Sequence, residues 1–167
     1  MINDGTVKEH IPRNAWKEAS KVLMLYARQH QNGNPETVIK VYREALALDP
    51  NNLPARSKLA EFLGSEGRLD EMANQIRKAL NISPNSPGLL VSLGRVFYAQ
   101  GKHEAAAPYL NKAVRLDWNN PHFRIDRALN NLELRWFGSV LEDAEKITAL
   151  DGTDHQKDAE LLLKMVM

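Results

Sequence analysis

Five histidines, His10, His30, His103, His122 and His155, are the residues that could ligate a metal or serve as a general base near neutral pH. They are scattered. No two stand four apart with a carboxylate nearby, the spacing that lets one helix face aim two imidazoles at an ion. His30 and His103 fall near turns and read as surface residues. Cysteine is absent, which removes disulfides, thiolate zinc sites and a thiol nucleophile. There is no glycine-rich phosphate loop and no Gly-x-Ser-x-Gly elbow. The acidic pairs Asp70-Glu71 and Glu142-Asp143 are expected in the first turns of helices, where they complement the helix dipole. Arg124, Arg127 and Arg135 form a short basic stripe, but Asp126 and Glu133 interrupt it. With 22 Lys+Arg against 21 Asp+Glu, the net charge of +1 adds no argument for nucleic acid, so the stripe reads as a solvated helix face. The expectation is a non-enzymatic chain with no catalytic residue, no metal, no other cofactor and no nucleic-acid partner.

The elements that carry these residues follow from periodicity. Written in steps of 34, Leu48-Asp49-Pro50-Asn51-Asn52 returns as Ile82-Ser83-Pro84-Asn85-Ser86 and as Leu116-Asp117-Trp118-Asn119-Asn120. It returns weakly as Leu150-Asp151-Gly152-Thr153-Asp154. Other columns share the period: Ala45, Ala79, Ala113 and Ile147; Tyr42, Ile76, Leu110 and Ala144; Gly33, Gly67, Gly101 and Arg135. Several columns agreeing at one period mark an internal repeat.

Each copy reads as a helical hairpin. Leu59, Ala60 and Leu63 make one helical stripe, and Leu69, Met72, Ala73, Ile76, Ala79 and Leu80 make a second. Gly67 lies between them, where the turn needs positive φ, and Pro84 stops the second helix. One hairpin cannot bury its apolar faces alone; neighbours stacked in series can.

This 34-residue pattern resembles the tetratricopeptide repeat. The best match is copy three, with Leu93-Gly94, Phe97, Ala106, Leu110 and Ala113, although Trp118 replaces the proline. Copy two offers Leu59-Ala60, Leu63, Met72, Ile76, Ala79 and Pro84; copy one offers Leu25, Val38, Tyr42, Ala45 and Pro50. The resemblance implies an all-α, right-handed superhelical solenoid of antiparallel helix pairs. The expected division is a flexible tail over 1–13 and a solenoid over 14–154, with repeats at 19–52, 53–86, 87–120 and 121–154. A capping helix is expected over 155–167.

Two copies are expected to depart from strict spacing. In copy four, strict spacing buries Arg124 and Arg127, which is costly without partners. A one-residue slip is therefore expected, with Ile125, Ala128, Leu129 and Leu132 inward, both arginines outward and the turn at Arg135-Trp136-Phe137-Gly138 one residue shorter. A slip in copy one puts Ala27, not Tyr26, at the small-residue position. Trp118, Trp136 and Phe137 are expected to plug junctions between repeats. Pro108 is expected to be tolerated early in its helix, Asn14 to cap the first helix and Asp154 the last.

In the family, first helices line a concave groove that holds partner peptides. Position by position, the resemblance implies a groove of Ser57, Glu61 and Gly64, then Val91, Arg95 and Tyr98. Slipped registers add Asp126, Asn130 and Glu133 from copy four and Met24, Arg28 and Gln31 from copy one. Glu61 would repel a carboxylate, which argues against the family's chaperone-tail clamp. The expected function is an adaptor that binds a protein or peptide partner, with Arg95 on an acidic group and Glu61 on a basic one. One alternative is a segment of a larger bacterial secretion, pilus, polysaccharide-export or glycosyltransferase protein. Another is a self-assembling scaffold, a homo-oligomer joined through Leu163, Val166 and Met167 of the apolar last helix. Apolar runs as short as Val22 to Tyr26 predict no membrane insertion. The start Met1-Ile2-Asn3-Asp4-Gly5 shows no signal peptide, so a cytoplasmic location is expected, or a periplasmic one for a piece of a larger protein.

Overall fold

The computed structural model describes residues 7–150 and 155–167, and among them all regular structure is helical. Two compact units divide the chain, Met1–Ile82 and Ser83–Met167.

The first unit holds α1 (Val7–His10), a 3-10 turn (Arg13–Ala15), α2 (Trp16–Gln29), α3 (Pro35–Leu48), α4 (Leu53–Ser65) and α5 (Leu69–Ile82). Helices α2 and α3 form one hairpin, α4 and α5 the next, and α4 packs against both α2 and α3. Asn34 and Asn52 start α3 and α4 by accepting from the backbone N–H of Thr37 and Ala55, at 3.2 and 3.0 Å. Ala27, Val38, Ile39, Tyr42, Leu59 and Leu63 form the core between the hairpins. A buried polar chain crosses it: Asn52 Nδ2 donates to Ser20 Oγ at 2.9 Å, and Ser20 Oγ donates to the Ala45 carbonyl at 2.7 Å.

The described part of the expected tail is folded. Trp16 Nε1 donates to the Ile11 carbonyl at 2.9 Å, and the Lys8 and Arg13 cations lie over its ring. Asn14 sits inside the 3-10 turn and makes no cap, because α2 starts two residues later with Ala15 before it. Asp154 lies outside the described residues.

The second unit holds α6 (Pro87–Ala99), α7 (His103–Leu116), α8 (Pro121–Glu133), α9 (Phe137–Thr148) and α10 (Gln156–Val166). Two hairpins, α6/α7 and α8/α9, pack through α7 and α8, and α10 lies on α9 and α8. Ala128, Val140, Ala144, Ile147, Ala159 and Leu162 form the core beneath α10. Helix α7 runs unbroken through Pro108, whose ring is exposed.

Three hairpin turns share one geometry. The N–H groups of Arg68, Lys102 and Trp136 reach back to the carbonyls of Leu63, Phe97 and Asn131 at 2.8, 2.9 and 2.8 Å. The residue before each has positive φ: Gly67 at 71°, Gly101 at 69° and Arg135 at 57°. This is a Schellman-type helix end, which glycine adopts at least cost. Copy four therefore keeps the strict 34-residue spacing. The expected slip and shortened turn are corrected: Arg135 accepts the glycine conformation, and Arg124 and Arg127 face inward. Leu129, expected inside, is exposed. Copy one does slip, with Ala27 1% exposed and Tyr26 50% exposed.

The inward arginines are paired. Arg124 Nη1 donates to Asp143 Oδ1 at 2.9 Å; Arg127 Nη2 donates to the same oxygen at 2.6 Å and its Nε to Oδ2 at 2.8 Å. Asp143 is fully buried and belongs to the second turn of α9, so it is an internal counter-ion, not a dipole-matched first-turn acid. Asp70 and Glu71 do occupy the first turn of α5. Arg124 also chelates the Trp118 carbonyl with Nε and Nη2, at 2.9 and 2.7 Å. Burial alone would depress the pKa of Arg127, but hydrogen bonds to Asp143 and its charge, helped by Glu142, outweigh burial and raise it.

Trp118, Trp136 and Phe137 are exposed, and so do not plug junctions. Trp118 is 66% exposed because its backbone carbonyl, not its ring, is what the fold uses.

Candidate partner-binding faces

In the second unit, α6 and α8 bring Arg95, Tyr98, Asp126 and Leu129 to one place. With Leu110 of α7 they line a small cavity of about 70 Å³. Gly94 makes the approach of α7 close: a Cβ there would stand 2.6 Å from Leu110 Cδ2. Arg95 Nε donates to Asp126 Oδ1 at 2.8 Å, and Nη2 lies 2.7 Å from Oδ2. The arginine is thus already matched to a carboxylate across the two helices. The Tyr98 and His103 rings pack in a T with centroids 5.1 Å apart, so His103 is a half-buried packing partner and not the surface residue expected.

Asn130 leaves the predicted groove. It is fully buried, and its Nδ2 donates to the His103 carbonyl at 3.1 Å. The strict register explains this, because it moves Leu129 into the column of Glu61 and Arg95. Glu133 stays exposed, while Val91 is buried.

In the first unit, Arg28 and Glu61 are exposed on α2 and α4, and Ser57 and Met24 are partly buried. The two charges act on one buried phenol. Burial raises the pKa of Tyr42, the Glu61 charge raises it further and the Arg28 charge lowers it. Lys58 pairs with Glu61 at 2.6 Å on the helix surface. Gly64 lets Met72 approach, with a Cβ there 2.8 Å from its sulfur. Gln31 is exposed in the loop after α2.

The last helix exposes other apolar residues than the expected Leu163 and Val166. Leu163 and Val166 pack against the core beneath α10, while Leu161, Met165 and Met167 are exposed. His122 and His155 meet edge to face at 4.3 Å, with Asp158 Oδ2 3.0 Å from His155 Nδ1. Among the described residues no group of three His, Asp or Glu is placed to hold a metal ion, and no helix is long and apolar enough to cross a membrane.

A tetratricopeptide-repeat family model matches residues 5–128. The chain belongs to the tetratricopeptide-repeat family. Solved structures of this fold resemble it at low identity. MamA is 17% identical over 89% of this chain and 90% of its own, with a TM-score of 0.75. YrrB, described as a tetratricopeptide-repeat protein with an unusual peptide-binding site, is 18% identical over 93% and 92%, with a TM-score of 0.68. A tetratricopeptide-repeat protein from Parabacteroides merdae is 16% identical over 89% of this chain and 59% of its own, with a TM-score of 0.80. No curated protein matches the sequence. At these identities the likeness concerns the fold. Within the family's repeat, the faces described above are those of first helices, α2 and α4 in one unit and α6 and α8 in the other.

Proposed function

We propose that this tetratricopeptide-repeat chain is a non-enzymatic scaffold that holds a peptide or helix of a protein partner on its first-helix faces. The observation that carries the reading is the cavity between α6 and α8, with Tyr98, Leu110 and Leu129 as apolar wall and the Arg95–Asp126 pair at its rim. Its small volume suits one apolar side chain of a partner as anchor. Because Arg95 is bound to Asp126, a partner's acidic group would share or displace that pair; Arg95 is not a bare cation. Arg28, Ser57 and Glu61 give the first unit a recognition face of its own. The peptide-binding site in the description of YrrB supports this reading by analogy.

A peptide-display selection against the whole chain tests it. Selected peptides should share an apolar anchor, and Leu129→Lys should weaken their binding about tenfold or more, the order of effect of burying an unpaired charge at a contact. Peptides that bind Leu129→Lys and Tyr98→Ala as tightly as the natural chain would remove the reading. The exposed Leu161, Met165 and Met167 support a second reading, association of copies through α10. Light scattering of the chain beside Leu161→Glu tests that: equal monomeric masses at high concentration exclude it.

A further inference from the structure

A second cavity, of about 310 Å³, lies wholly within the first unit between α3, α4 and α5. Arg43, Arg56 and Lys78 line it together with Gln75, while Leu46 and Leu59 give it an apolar wall. None of its lining residues is acidic. Arg43 is held at its outer edge by Glu71 at 2.8 Å, and Lys78 is exposed.

Arg56 is the unusual member. It is 8% exposed, and the acceptors of its guanidinium are neutral: Nη1 donates to Gln75 Oε1 at 3.1 Å and Nη2 to the Pro50 carbonyl at 2.6 Å. Its Nε is buried without a hydrogen-bond partner. Burial lowers the pKa of this arginine, and no carboxylate raises it back. The repeat shows what is missing. Two periods along the chain, Arg124 stands in the column of Arg56 and likewise binds the carbonyl of the residue six before it. There the column of Gln75 is filled by Asp143, which neutralises the arginine. The first unit keeps the buried cation and puts an amide where the counter-ion stands in the second.

We propose that this cavity binds a small ligand bearing an oxyanion, a carboxylate or a phosphate, whose charge completes in the first unit what Asp143 completes in the second. Lys78 supplies a mobile cation, Arg43 adds a second that a ligand would share with Glu71, and the Gln75 amide can donate one hydrogen bond while its oxygen stays on Arg56. The volume exceeds that of a lone phosphate and falls at the lower end of small-molecule sites, so the leucine wall leaves room for an apolar portion of the ligand.

The test titrates inorganic phosphate and, separately, citrate into the isotope-labelled whole chain at constant ionic strength, with chloride as control. Arginine Nε–H and glutamine side-chain amide signals report the site, and thermal unfolding reports linkage. Either probe, or both, should bind saturably with a dissociation constant of about 10 mM or tighter. Which probe saturates first tells phosphate from carboxylate. Gln75→Glu, which supplies the internal counter-ion without changing size, should weaken binding at least about tenfold. Lys78→Ala, at an exposed position, should weaken it without affecting the fold. Both variants should still capture any peptide that occupies the Tyr98–Leu129 cavity, so the two sites fail independently. The proposal is overturned if neither probe saturates, if chloride gives the same response, or if Gln75→Glu binds as well as the natural chain.

Discussion

Gln75 and Asp143 occupy one column of the repeat, and each faces an arginine from the first helix of its own copy. Copy two fills the three columns with Arg56, Leu59 and Gln75; copy four fills them with Arg124, Arg127 and Asp143; copy three uses Leu90, Leu93 and Tyr109, whose ring stacks on Phe97 at 5.6 Å. One backbone hairpin thus accepts a cation on neutral acceptors, an ion cluster and an apolar filling. The lesson concerns the counter-ion. Where a second arginine is buried, a carboxylate with all its geometry satisfied comes with it; where only one is buried, carbonyl and amide oxygens take its place.

That contrast can be broken most violently at Asp143. Asp143→Ala leaves Arg124 and Arg127 buried without their shared partner, and should cost about 3–5 kcal/mol in urea unfolding. Gln75→Ala removes a neutral acceptor and should cost nearer 1 kcal/mol. If the two variants lose equal stability, the units do not differ in the way described.

The next effect is steric. Gly94→Ala drives a methyl into buried Leu110 and should cost about 1–3 kcal/mol. Gly64→Ala meets the flexible end of Met72 and should cost less, a difference that thermal melts of the two variants would expose. Smaller still is the turn. Arg135→Gly removes a side chain from the left-handed region and should raise stability by roughly 1 kcal/mol, with Gly67→Ala moving the other way. The smallest change should come from the largest substitution. Replacing Arg124, Arg127 and Asp143 together by the Leu, Leu and Tyr of copy three should leave stability at or above that of the natural chain, since buried ion clusters can be exchanged for packed apolar groups without loss. A large loss in that triple variant would show that the ionic filling is specific to its copy.

The helical hairpins are legible in the sequence because small, apolar and turn residues return in fixed columns; for copy one the sequence offers Ala27 or Tyr26 at the small-residue position, and burial selects Ala27. Copy four misled for a physical reason. Arg124 and Arg127 look unburiable when their own helix is read alone, because the residue that neutralises them lies on the next helix. Reading the Gln75 column forward to Asp143 would have found it. The second misleading sign was Arg135 in a glycine column, where a backbone strain of modest size is outweighed by the three hairpins' common hydrogen bonding. The slipped register puts Asn130 in the candidate site where the fold presents Leu129, while Arg95, Tyr98 and Asp126, all read from the sequence, do line the small cavity. The cationic cavity of the first unit was not legible, since Arg43, Arg56 and Lys78 come from three helices and share no motif.

The placing of the tryptophans has an optical consequence. Trp16, half-buried, hydrogen-bonded and overlaid by cations, is the one tryptophan of the first unit, whereas in the second Trp118 is 66% and Trp136 49% exposed. Emission during denaturation will therefore weight the first unit, and circular dichroism will report both. A mismatch between the two signals would measure how far the halves of the chain melt independently.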